Sequence, residues 1–187
     1  MVAYITLTEI QLIQRSDSII YPFMYYMSTW NATSISGSAN YSYLSSIIDT
    51  GGVSRISTVP GPTLASGAGN TSYGIVVGTG TNPNTGSTYA LQAPIANGTG
   101  AGQLQYGTTG VSAPGVSGSI MTVIVNRTLT NSSGGTVTIS ETAIYGALWW
   151  PGTQYFFALT RDVLATSISL ANGGSATIYY TFQVTIS

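Results

Sequence analysis

Only nine side chains in this 187-residue chain are formally charged: Glu9, Asp17, Asp49, Glu141 and Asp162 on the acidic side, Arg15, Arg55, Arg127 and Arg161 on the basic side. Any acid–base chemistry must be drawn from this short set, because the chain has neither histidine nor cysteine. That removes the usual general base, the thiolate nucleophile and the common transition-metal ligands. Carboxylate pairs remain, and Glu9 with Asp17 or Asp49 with Glu141 are the combinations a glycoside hydrolase would use as acid and base. None of these acids is flanked by a clustered aromatic and polar motif, and no short window holds the several acids of a calcium loop. The glycines of "GTGTNPNTG", residues 78–86, are followed by no Lys-Ser/Thr and by no helix start, so the segment reads as a loop and not as a phosphate cradle. The expectation is a protein with no catalytic residues, no metal and no cofactor.

One pair stands out. Arg161 and Asp162 are adjacent in "FALTRDVL", residues 157–164, between an aromatic run and an alternating tail. Neighbouring side chains on an extended segment point to opposite faces, so the two cannot easily converge on one substrate. They read as a structural anchor, fixing a loop through charge-assisted hydrogen bonds to backbone groups or to Glu141.

Charged residues make up 5% of the chain, against roughly 25% in an ordinary soluble protein, and lysine is absent. Hydroxyl and amide side chains therefore supply the polar surface, and such a surface is indifferent to pH because little on it titrates. A net charge of −1 with four scattered arginines gives no basic patch for nucleic acid. The longest apolar stretches are interrupted well before the ~20 residues of a membrane helix, so no transmembrane segment is expected. The N-terminus lacks the basic region, apolar run and cleavage site of a secretory signal.

The elements that would position these residues are strands. Residues 1–30 hold an alternating "VAYITLTEIQLI" and the aromatic run "YPFMYYM"; residues 31–118 are loop-rich, with short apolar islands; residues 119–187 alternate at period two through "SIMTVIVNRTLTN", "TVTISETAIYGALWW" and "ATIYYTFQVTIS". Gly-containing turns at 131–135 and 172–174 separate them. The reading is an all-β chain, a β-sandwich or jelly-roll-like domain with long Gly/Ser/Thr-rich loops, one domain overall. Tyr25, Tyr26, Trp30, Trp149 and Trp150 are interface candidates. The two adjacent tryptophans must face opposite sides of a strand, which favours an interface over stacking on carbohydrate.

Taken in order, "IVVGTGTNPNTGSTYALQAPI", "VNRTLTNSSGGTVTISETAIYG", "FFALTRDVL" and "GGSATIYYTFQVTIS" resemble a recurrent pattern in virion structural proteins of tailed bacteriophages and archaeal viruses, over residues 74–187. The resemblance implies a structural role in a particle and assigns no catalytic residue. Six sequons, at Asn31, Asn40, Asn70, Asn97, Asn126 and Asn131, exceed the about two or three expected by chance, with Asn131 in an accessible-looking turn. Glycosylation and a charge-poor surface together suggest a virus of a hot, acid-dwelling archaeon. The expected function is a non-enzymatic subunit of a tail, nozzle, adaptor, vertex or decoration assembly. It would form homo-oligomers, contact other virion proteins, assemble in the host cell and reside in the extracellular particle. The alternatives are a spike module recognising host surface glycans and a cellular secreted filament or surface glycoprotein.

Overall fold

The computed structural model describes residues 2–7, 14–16, 47–55, 63–150 and 153–185. Among the described residues every regular element is a strand: β1 (Val2–Leu7), β2 (Gln14–Ser16), β3 (Ile47–Ile48), β4 (Ser54–Arg55), β5 (Gly74–Gly78), β6 (Gln105–Val111), β7 (Gly115–Ser117), β8 (Ile120–Thr130), β9 (Val137–Trp150), β10 (Thr153–Leu170) and β11 (Ser175–Thr185). No helix of these residues is long and apolar enough to cross a membrane.

Strand pairing is antiparallel throughout, in two main sheets. One runs β2-β1-β11-β8-β6, with the short β7 also paired to β8; the other runs β10-β9-β5, and β3-β4 forms a separate hairpin. All three compositional zones therefore contribute to one sheet: β1 and β2 from the first, β6 and β7 from the loop-rich second, β8 and β11 from the third. The turns expected at 131–135 and 172–174 link β8 to β9 and β10 to β11. Gly134 and Gly173 there adopt φ of 82° and 85°, a region that side-chain-bearing residues rarely enter.

The two sheets bury one common core, a β-sandwich. Ile75 and Val77 of β5, Ile139 and Ile144 of β9 and Leu159, Ile168 and Leu170 of β10 meet Tyr106 of β6, Val125 and Leu129 of β8 and Ile178 and Tyr180 of β11. On β11 the period-two expectation holds residue by residue, with Ala176, Ile178 and Tyr180 buried while Thr177, Tyr179 and Thr181 are half-exposed.

Alternation fails on β5 and on the central part of β9, where every residue is buried. The cause is a third layer. The chain leaves β5 at Gly78, crosses the outer face of the three-stranded sheet, and returns beside it, with Thr79 N donating to Ala93 O (2.9 Å) and Ile95 N to Val77 O (2.9 Å). Leu91 and Ala90 of this crossing pack on outward-facing Val76, Ala143, Tyr145 and Ala158. A sheet covered on both faces reads as a continuous apolar run, as "GIVVG" does.

Candidate functional site

The site is the fastening of residues 79–93 to that outer face. Glu141 on β9 and Arg161 on β10 are two positions out of register, since Arg161 pairs with Ala143 and Glu141 with Val163. Diagonal neighbours on one face lie about 7–8 Å apart at Cβ, within an arginine's reach. Arg161 Nε donates to Glu141 Oε2 at 2.7 Å, with the two residues 2% and 0% exposed.

The remaining lone pairs of Glu141 hold the crossing segment. Oε1 accepts from Gly80 N (3.1 Å) and Ala93 N (2.8 Å), and Oε2 also accepts from Gln92 N (3.0 Å). One carboxylate thus ties down both limbs of the loop, and a buried charge is tolerated because four donors surround it. This close approach explains Gly78 and Gly80. A Cβ at Gly80 would stand 2.5 Å from both Glu141 Oε1 and Gln92 Cβ, and one at Gly78 would stand 2.5 Å from Ala93 O. The glycines that resemble a phosphate cradle make room for a carboxylate belonging to the protein itself.

Arg161 completes the clamp. Its Nη1 donates to Asn82 O (3.0 Å) and Asn84 Oδ1 (2.6 Å), while Asn84 Nδ2 donates back to Arg161 O (2.6 Å). Gln92 Oε1 accepts from Thr81 N and Asn82 N, closing the loop on itself. Leu91 N donates to Tyr145 Oη at 2.6 Å, and burial together with the nearby Glu141 pushes that phenol up to about 12. Arg161 Nη2 is buried and has no acceptor. Above it lies a cleft of about 520 Å³ between the 82–92 stretch and Thr50.

Asp162 points the other way, into the sandwich, where its Oδ2 accepts from Tyr180 Oη (3.1 Å) beside Thr142 and Thr160. Burial, and then the Asp162 charge, push the Tyr180 phenol well above 10. The pair expected to anchor one loop therefore sits within β10 and serves two layers: Arg161 holds residues 79–93, and Asp162 binds a core hydroxyl.

The other charges among the described side chains are equally engaged, while Glu9 and Asp17 lie outside the described residues. Asp49 accepts from Gly51 N, Val53 N and Arg55 Nε, each at 2.9 Å, and Arg55 lies 4.3 Å from the Tyr155 ring centre. Burial alone would raise the Asp49 carboxyl, but those bonds outweigh it and hold the group below 3.8. Asp49 and Glu141, considered together as an acid–base pair, are thus each saturated by donors from their own surroundings. Arg127, fully buried on β8, donates to Gly107 O (2.7 Å), Ile75 O (2.8 Å) and Gly67 O (3.2 Å) and stacks 4.8 Å from the Tyr106 ring centre. Burial lowers its guanidinium to about 10. A signal for this existed in "VIVNRTL": Arg127 shares parity with Val125 and Leu129, both buried. Asn82, Asn84 and Gln92 carried no such signal.

Among the sequons, Asn131 requires a correction. Expected at an accessible turn, it is 0% exposed, with Nδ2 donating to Gly135 O (2.8 Å) and Leu170 O (2.7 Å) and Oδ1 accepting from Ser133 N (2.9 Å). The turn between β8 and β9 is built around its amide, so both amide hydrogens are taken. Asn97 is exposed; Asn70 and Asn126 are half-buried, Asn70 accepting from Ser72 N and Tyr73 N in a local turn. Asn31, Asn40, Tyr25, Tyr26 and Trp30 lie outside the described residues. Trp149 and Trp150 end β9, where their backbones pair with Gln154 and Thr153. Compared with protein-family models, with curated proteins and with solved structures, the chain matches none.

Proposed function

We propose that this chain is a non-enzymatic structural subunit of a virus particle, part of a symmetric tail, nozzle, adaptor, vertex or decoration layer, from a virus of a thermoacidophilic archaeon. One observation carries the reading. Among the described side chains, five of the six charged ones are buried, and the sixth, Arg55, is half-buried and paired to Asp49. Their bonds fasten loops and layers. The outward surface of the described residues is left with hydroxyls, amides, glycines and scattered apolar groups such as Val111, Val116 and Ile120.

Such a surface carries almost nothing that repels a neighbouring copy, and proteins that must stay monomeric use charge for that purpose. It also changes little on acidification, since few of its groups titrate. The resemblance of residues 74–187 to virion structural proteins, read from the sequence, favours the same assignment.

The test is to locate the chain in purified particles by electron microscopy and to measure its association state by sedimentation. A repeating subunit with contacts above about 1,000 Å² is expected, with Trp149→Ala weakening assembly more than folding. A monomer both alone and in its particle would defeat the assignment. The glycan-recognising alternative is favoured by a different observation, the cleft over Arg161.

A further inference from the structure

We infer that the cleft between the 82–92 stretch and Thr50 binds a neutral sugar ring. Its volume, about 520 Å³, lies within the roughly 300–1,000 Å³ of small-molecule sites. Its lining is unlike the usual apolar pocket: Asn82, Ser87, Thr88 and Gln92 bring hydroxyl and amide groups; the Ser87 and Thr88 hydroxyls also bond Thr85, and Gln92 Oε1 accepts from Thr81 N and Asn82 N, but a hydroxyl can accept two bonds besides donating one. That chemistry suits a ligand whose own perimeter is hydroxyls.

Two further features select a sugar over other polar molecules. Tyr89 lines the cleft with 40% of its surface exposed, its ring lying against Gly52, where an added Cβ would stand 3.2 Å from Tyr89 Cζ. An aromatic ring held in this way at the wall of a hydroxyl-rich cleft offers a platform for the C–H face of a pyranose. Arg161, also in the lining, has Nη2 without an acceptor although it is buried.

The ligand class is neutral because the Arg161 charge is already balanced by Glu141 at 2.7 Å. No uncompensated cation remains to reward a carboxylate or phosphate. Binding here rests on the glycan-recognising reading and is independent of the assembly role proposed above.

Saturation-transfer NMR with the methyl glycosides of glucose, galactose, mannose and N-acetylglucosamine, and with a sialoside, provides the test on the full chain. Transfer to at least one neutral glycoside is expected, at about millimolar affinity. Tyr89→Ala should weaken it roughly two- to thirteenfold, the range of an aromatic stacking contribution, and Tyr89→Phe should retain it. Ser87→Tyr, which fills the exposed rim without entering the core, should abolish it, while Val116→Ser on the distant hairpin should leave it unchanged. Transfer to none of the neutral glycosides, transfer to the sialoside alone, or transfer that survives both Tyr89→Ala and Ser87→Tyr overturns the inference. Sedimentation of the same samples reads the assembly state separately.

Discussion

Replacing Glu141 by glutamine removes one charge and almost no volume, so its effect isolates what the carboxylate does. Two costs add. Arg161 becomes a buried cation without its counter-ion, and breaking a buried pair from one side costs about 3–5 kcal/mol. The new amide NH2 must also replace one carboxylate oxygen, turning a donor toward N–H groups: toward those of Gly80 and Ala93 in one orientation, or toward Gln92 N and Arg161 Nε in the other. Leaving such donors unmet costs about 1–3 kcal/mol. The sum is about 4–8 kcal/mol, a large part of the 5–15 kcal/mol by which domains are usually stable. With a urea slope of about 2 kcal/mol/M, the unfolding midpoint followed by tryptophan fluorescence should fall by about 2–4 M. In an Arg161→Met background the same substitution should cost about 3–5 kcal/mol less, because no stranded cation remains. A midpoint shift below about 0.5 M, or strict additivity of the two changes, would refute the clamp.

Alkali should unfold the protein cooperatively. Unfolded tyrosines ionise near 10, whereas Tyr106 and Tyr145 are raised by burial to about 12 and burial raises Tyr180 well above its ordinary value too. Above pH 10 the unfolded chain therefore holds fewer protons than the folded one, and stability falls as pH rises. Arg127, lowered to about 10, offsets one of these three protons, leaving roughly 3 kcal/mol lost per pH unit. Tyrosinate absorbance that develops fully near pH 10 while the circular dichroism stays native would contradict this. For glycosylation, peptide mass mapping of protein from native particles should find glycan on exposed Asn97 and none on Asn131, whose amide is enclosed; glycan on Asn131, or the bare polypeptide mass throughout, would be the opposing results.

The direction of side chains along individual strands follows from the residue pattern alone. Alternation in "VIVNRTL" puts Val125, Arg127 and Leu129 on one buried face, and alternation in "ATIYY" does the same for Ile178 and Tyr180, because pleating is a local property set residue by residue. Glycine turns at 131–135 and 172–174 were legible for the same reason. Adjacent Arg161 and Asp162 had to part, and they do. Which partners those side chains meet was decided by the tertiary structure. Glu141 lies 61 residues from Gly80, and Arg161 lies 77 from Asn84, yet both pairs are hydrogen-bonded. Residues 78–86, which read as a loop, open a covering layer that runs to residue 93, buries the outer face of the β10-β9-β5 sheet and is held there by Glu141. Asn131 reversed its expected exposure on the same principle: a turn-forming composition marks where the chain bends, while the packing of Gly135 and Leu170 around the bend decides whether its amide faces water or carbonyls.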